Sequence, residues 1–188
     1  MKKLVIALSV VLACSVSQAQ LLNGDFEAGV GLNADNWTKY GAANREGWAN
    51  HGGGQGMALE WWAGAGGGFY QDVAATAGAT YTLSAWYLDD AAAVVTSLYT
   101  TKIEWYDSLA TLISISSQNV SPLVNNTWQQ LSLVDTAPVG AVTARVVFDA
   151  AGMVGGETLK IDDVALAVPE PSALTLLGLG GLLLRRKK

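Results

Sequence analysis

Fifteen carboxylates, one histidine and seven tryptophans are the chemistry-bearing side chains of the chain between its two ends. A sugar hydrolase needs two carboxylates at a fixed separation in a cleft. Fifteen acids make some pair inevitable, and no local motif selects one. His51 sits in a glycine-rich stretch with no Ser or Asp partner motif around it, so it is expected as a free surface histidine. The glycine clusters lack Lys-Ser/Thr and a following helix, which removes a phosphate cradle. No catalytic residue is assigned. The aromatics point instead to stacking, because flat ring faces pack on sugar C–H groups while Asn, Gln, Asp or Glu read the hydroxyls. Trp48, Trp61 and Trp62 flank the glycine-rich segments 52–56 and 64–68, which are expected to be long loops. Trp86 falls on the strand face opposite Tyr81, Leu83 and Ala85, a face that can carry a ligand or pack under a loop. These four are the candidate ligand contacts. Trp37, Tyr81, Trp105 and Trp128 are expected in the core.

The elements that must position these residues read as β. Segment 80–87 alternates, with Tyr81, Leu83, Ala85 and Tyr87 on one face, and Val142, Ala144, Val146 and Phe148 alternate against Thr143, Arg145 and Asp149. Segments 99–106, 111–116, 128–134 and 158–167 share the β-branched and aromatic enrichment, with turns at Asn125-Asn126 and Pro138-Val139-Gly140. No sustained 3.6-residue period interrupts them. Many short strands with glycine-rich connections imply an all-β fold, one β-sandwich or jelly roll. One strand breaks phase. Leu159 and Ile161 keep one alternation and Val164 and Leu166 the other, so a β-bulge is expected at Asp162-Asp163. A bulge turns oxygens off the ladder, where a hard cation can use them.

Both ends of the chain carry export chemistry. Met1-Lys2-Lys3 is a basic start, Leu4 to Val16 an apolar stretch, and Ser17-Gln18-Ala19 a small-residue cleavage site, so residues 1–19 read as a signal peptide. Val11-Leu12-Ala13-Cys14 offers a competing lipoprotein box, with Leu12 where a small residue is usual. Cleavage after Ala19 removes Cys14, the only cysteine, and leaves no disulfide or thiolate metal site. At the other end, Pro169-Glu170-Pro171 precedes an apolar run, Ala173 to Leu184, and Arg185-Arg186-Lys187-Lys188. The prolines hold the chain extended for an enzyme to grip, and the basic cluster stays cytoplasmic. Twelve residues at ~1.5 Å each reach ~18 Å as a short hydrophobic helix, well under a ~30 Å bilayer core. That suits transient membrane anchoring. This tail resembles the PEP-CTERM sorting signal. The resemblance implies an exosortase, a membrane transpeptidase that removes the tail and passes the protein to the surface or exterior.

Residues 20–167 are therefore one domain, and 168–188 the sorting segment. Six of the eleven cations lie in the two ends, at Lys2, Lys3, Arg185, Arg186, Lys187 and Lys188, leaving five against fifteen carboxylates and a domain charge near −10. That charge repels phosphate backbones and excludes nucleic-acid binding. The order Asn23-Gly24-Asp25-Phe26-Glu27, Gly68-Phe69-Tyr70-Gln71-Asp72-Val73, Ala77-Gly78-Ala79-Thr80-Tyr81, Trp128-Gln129-Gln130-Leu131 and Ile161-Asp162-Asp163-Val164 resembles galactose-binding-like jelly rolls, specifically carbohydrate-binding modules of family 4/9. The resemblance implies a structural Ca²⁺ where first and last strands meet, with Glu27 and Asp162 as the best ligands and Asp163 and Asp25 behind them. Three function classes stay open: a surface protein binding a neutral polysaccharide, a structural or adhesive biofilm protein without a sugar site, and a polysaccharide hydrolase.

The tail carries its own test. Replacing Glu170 or deleting Arg185 to Lys188 is expected to leave unprocessed precursor in the inner membrane, seen by fractionation and mass. Normal mature protein at the surface from such variants would remove the sorting reading.

Overall fold

Side chains alternate between buried and exposed along most of the long strands, and this period of two folds the chain into two stacked sheets. The structure is a computed structural model that describes residues 21–60, 66–90, 98–121, 123–124, 126–153 and 156–168. The expected signal peptide and residues 169–188 of the tail, the Pro169-Glu170-Pro171 motif included, lie outside those residues, as do Trp61 and Trp62.

Strands β1 (Gly29–Val30) and β2 (Asn33–Ala34) form a small hairpin. They are followed by β3 (Thr38–Gly41), β4 (Ala43–Glu46), a 3-10 turn (Gly47–Ala49), β5 (Gly56–Glu60) and β6 (Gly66–Ala74). Then come β7 (Thr80–Asp89), β8 (Leu98–Tyr106), β9 (Leu112–Asn119), β10 (Gln129–Thr136), β11 (Thr143–Ala151) and β12 (Thr158–Ala167). Sheet one has the order β10-β7-β12-β5-β4 and sheet two β3-β6-β11-β8-β9. Both are antiparallel throughout. The sandwich read from the alternation is thus the fold, and each of the six segments read as strands is one, within a few residues at the ends.

The core lies between the sheets. Sheet one contributes Tyr81, Leu83, Ala85, Tyr87, Leu59 and Ile161, and sheet two Phe69, Ile103, Trp105, Val146 and Phe148, all buried. Phe26, Trp37, Phe69 and Phe148 form one aromatic group, with ring centroids 5.0–6.2 Å apart. Tyr81 meets Trp105 edge-on at 5.1 Å. Trp105 keeps its indole N–H satisfied by donating to Asp135 Oδ2 at 2.7 Å, which lets a polar ring sit fully buried.

The phase slip is real. Asp162 pairs with Trp86 but Ala165 with Ser84, so one extra residue sits in β12, and Asp163 takes φ +49°. One expectation fails: the glycine cluster at 64–68 is not simply a loop, because Gly66, Gly67 and Gly68 open β6. Close approach explains the composition. A Cβ on Gly67 would stand 2.5 Å from Ala42 N and 2.7 Å from Tyr40 O, and one on Gly68 2.5 Å from Phe148 O, all backbone atoms that cannot turn away.

Gly67→Ala is accordingly expected to destabilise the domain by ~1–3 kcal/mol, the usual cost of overpacking. Gly47→Ala, whose nearest neighbours are 3.4 Å or more away, should stay within ~1 kcal/mol of wild type. Chemical denaturation of both variants measures the difference.

Candidate functional site

Two constructions stand out: a loop held by carboxylates at one end of sheet one, and a tyrosine-lined face on sheet two. The first begins at the β12 bulge. Asp162 pairs with Trp86 on the outward face of sheet one, just before the left-handed Asp163, and its side chain is fully buried there under the 51–55 loop. Asp162 Oδ2 accepts from the N–H groups of His51 at 2.7 Å and Gly52 at 3.2 Å, and Oδ1 accepts from Asp163 N–H at 2.7 Å. Burial pushes this carboxyl above its ordinary value, against the opposite pull of the three N–H donors. Glu27 Oε1 grips the other end of the same loop, accepting from Gly54 N–H at 2.7 Å and Gln55 N–H at 3.0 Å. Just past the bulge, Val164 N–H donates to Gly24 O at 2.8 Å, tying the opening segment to the last strand.

His51 is not the free surface residue the sequence suggests. Its Nδ1 lies 2.7 Å from Asp163 Oδ2, and its ring stacks on Trp86 at 4.1 Å with 13° between planes. Trp128, expected in the core, is only partly buried and meets the same imidazole edge-on at 5.1 Å. Trp86 therefore packs under the 51–55 loop, the second of the two roles open to it. Trp48 is about half exposed, with Lys160 Nζ 5.3 Å above its ring. Of the four tryptophans singled out as ligand contacts, Trp48 alone presents an open described face.

Glu27, Asp162 and Asp163 do converge on one loop, as expected of a calcium site, and carboxylates are the hard donors calcium takes. Asp25 is exposed, with Oδ1 3.5 Å from Glu27 N. Both oxygens of Asp162 and Oε1 of Glu27 face N–H donors, whose positive ends oppose a cation. Among the described residues, no three His, Cys, Asp or Glu group as a metal cluster. The acids present fit an amide clamp and not a ready calcium cage.

The second construction was missed in the sequence. The outward positions of β6, β11 and β8 carry Tyr70, Asp72, Arg145, Glu104 and Tyr106. The register sets Asp72, Arg145, Glu104 and Ile115 in one row across four strands. Arg145 is the centre of this face. It makes a two-pronged pair with Asp72, at 2.7 and 2.9 Å, and its guanidinium lies 4.2 Å from the Tyr70 ring centroid and 5.0 Å from that of Tyr106. The Asp72 hydrogen bonds raise the Arg145 pKa further, so the charge is permanent. Tyr106 O–H donates to Glu104 at 2.7 Å. On the row toward β3, Tyr40 lies across Gly68 and donates to Asp149 Oδ1 at 3.1 Å, while Lys102 Nζ pairs with Asp149 Oδ2 at 2.9 Å. Burial, then the neighbouring carboxylates, pushes both phenols up. A hollow of about 340 Å³ lies beside Tyr106, Arg145 and Asp72, and another of about 280 Å³ beside Tyr70, Asp72 and Thr38. Aromatic residues at outward strand positions were the available signal, since Tyr70 alternates with buried Phe69 and Gln71.

Residues 167–188 match the PEP-CTERM protein-sorting motif. No curated protein matches the chain. Among solved structures, the chain is similar to a family 16 carbohydrate-binding module, with TM-score 0.59 and 21% identity, over 78% of this chain and 97% of the module. It is also similar to a family 61 carbohydrate-binding module in complex with β-1,4-galactotriose, with TM-score 0.54 and 16% identity, over 81% and 99% of the two chains. A third likeness is the enzymatically active domain of tailspike protein 4 from bacteriophage CBA120. There the TM-score is 0.60 and the identity 21%, over 80% of this chain, which spans only 21% of the tailspike chain. These likenesses show the fold, a jelly-roll sandwich.

Asp162→Ala removes one acceptor from three N–H groups at once. It is expected to cost ~2–4 kcal/mol, given ~1–3 kcal/mol for each buried group left unsatisfied and partial relief from water. Faster amide exchange at His51 and Gly52, with a changed Trp86 fluorescence, would report the freed loop. Unchanged exchange there would show that the clamp does not hold it.

Proposed function

We propose that the domain is exported, released or displayed by exosortase processing of its tail, and that it binds a neutral polysaccharide across the outer face of sheet two. The observation that carries the reading is the Tyr70–Arg145–Tyr106 sandwich, extended by Tyr40 and flanked by two hollows. Ring faces suit sugar C–H groups, and the fixed carboxylates, guanidinium and ammonium suit hydroxyls. The cations on the face are already paired, Arg145 with Asp72 and Lys102 with Asp149. An anionic polymer would meet these neutralised pairs on a domain near −10, so a neutral one is favoured. The carbohydrate-binding modules of similar fold support the class of ligand.

One other reading has a specific observation behind it. A structural or adhesive role is favoured by the carboxylates spent on ion pairs and loop clamping, which make the sandwich self-contained. A hydrolase would need a free acid and base on the tyrosine face, where Asp72 and Asp149 are held by cations. Calcium enters only as a ligand that must displace loop amides from Glu27 or Asp162. With Kd near ~10⁻⁵ M it would add ~2.7 kcal/mol in ~1 mM Ca²⁺. A melting temperature that falls on chelation supports a structural ion, and an unchanged one leaves the amide clamp alone responsible.

Titration calorimetry with neutral polysaccharides tests the binding face. Tyr70→Ala and Tyr106→Ala are each expected to weaken binding about ten- to thirty-fold, equivalent to ~1.4–2 kcal/mol, with little change in melting temperature. Trp48→Ala should leave affinity as it is. If Trp48→Ala abolishes binding and the tyrosine variants do not, the site is on the loop side instead. The Tyr40 and Tyr106 phenols are shifted upward and remain donors, so affinity should be flat from about pH 6 to about pH 9. A loss of binding across that range would count against them as ligand contacts.

A further inference from the structure

The acidic domain has one side without charge. From Ser108 to Val134 the sequence contains no Asp, Glu, Lys, Arg or His, although fifteen carboxylates are spread over the rest of the domain. That stretch includes β9 and all of β10 before Asp135. Each is the last strand of its sheet, β9 of sheet two and β10 of sheet one, and the two lie against each other. One flank of the sandwich is therefore neutral from sheet to sheet.

β9 is also exposed in an unusual way. Its apolar residues face outward: Ile115 stands opposite Glu104 on the outer face, and Leu112 opposite Tyr106. The inward positions carry Ser114, Ser116 and Gln118, opposite Trp105, Ile103 and Thr101. Leu112 is 45% exposed, Ile113 39% and Ile115 50%, and Leu109 and Val139 nearby are more than 80% exposed. Ladder pairing satisfies β9 on the β8 side alone among the described residues. Edge strands are ordinarily blunted by lysine, proline or an inward charge. β9 has none of these. Its only irregularity is the register shift at Trp105/Tyr106, which leaves Ser114 to Asn119 regular.

We propose that β9 pairs antiparallel with β9 of a second copy of this chain, joining two copies of sheet two into one ten-stranded sheet. Charge selects the occupant. Two copies near −10 repel through most faces, and this flank lets them approach without setting like charges opposite each other. An antiparallel edge is self-complementary about a twofold axis, so one strand supplies both halves of the contact. Backbone hydrogen bonds give the pairing, and the outward Ile115 and Leu112 of each copy cover one another.

Site-directed cross-linking of the full chain tests this directly. In a Cys14→Ser background, which removes the only cysteine, single cysteines are introduced as Ser114→Cys, Ile115→Cys, Ser116→Cys and Ser117→Cys, with Val30→Cys as a remote exposed control. Mild oxidation is expected to give a disulfide dimer at least ten-fold more efficiently at the position nearest the twofold axis than at Val30→Cys. In parallel, with every sample in one mild detergent, Ile115→Lys and Ser117→Lys in the wild-type chain should lower the dimer fraction in sedimentation at least ten-fold. Ser117 is an exposed polar position, so its loss of dimer cannot be assigned to a damaged core. Equal cross-linking at all five positions, or identical sedimentation of wild type and both lysine variants, overturns the proposal. Dimers that persist in the lysine variants with cross-links elsewhere place the contact on another surface, the tail included, and overturn it as well.

Discussion

One buried carboxylate holds together parts of the chain that are far apart in sequence. Asp162 faces outward beside Trp86, and the left-handed turn at Asp163, which adds a residue to β12, keeps Asp163 on the same side. A buried carboxylate is costly unless donors meet it, and here the donors are the backbone N–H groups of His51 and Gly52 beside that of Asp163. The loop after the 3-10 turn is thereby drawn over sheet one. His51 then lands on Trp86, and Asp163, displaced outward by the same turn, meets its Nδ1. The burial of Asp162 and the ring stacking at this end of the molecule follow from the loop that two adjacent acids hold in place.

The same constraint explains why glycine recurs around it. Val164 N–H reaches Gly24 O, and any side chain at Gly24 would run into the Val164 carbonyl. Glu27 lies so close to Gly53 that a Cβ there would meet its carboxylate. These glycines serve close packing, one against the Val164 carbonyl and one against the Glu27 carboxylate. They do not make the region loose, and a reading of glycine as flexibility alone places the loop wrongly in the open.

What could be read from the sequence was whatever depends on neighbours a few residues apart. Alternation in 80–87 and 142–148 located β7 and β11, and the change of phase between Ile161 and Val164 located the bulge. Tyr81 and Trp105 proved buried for the reason their strand positions implied, and Trp37, just before β3, is buried as well. What failed depends on partners far along the chain. His51 lies 112 residues from Asp163, so nothing near it announces the contact. Gly66 to Gly68 form a strand because Ala42, Tyr40 and Phe148 press against them. Trp128 precedes β10 and is drawn to the loop rather than the core. The tyrosine face needed the register of three strands before Tyr70, Arg145 and Tyr106 could be seen as one surface, because each is an ordinary outward residue on its own strand.

The two sheets divide the work through their outer faces. Sheet one spends its outward Trp86 and the bulge acids on holding a loop, so its aromatic surface is covered. Sheet two leaves its outward side chains uncovered and locks them to each other instead. Arg145 is fixed by two tyrosine rings and a two-pronged carboxylate, so a ligand arriving there meets groups that have already lost their rotamer freedom. Rigidity without cover is costly for a surface that only encloses a core, since apolar ring area is left in water. It is expected of a surface shaped for contact. The distribution of acids argues the same way: Asp72 and Asp149 neutralise their cations on this face, while the domain's excess negative charge lies elsewhere. The face therefore holds its cations already neutralised within a domain that is acidic as a whole.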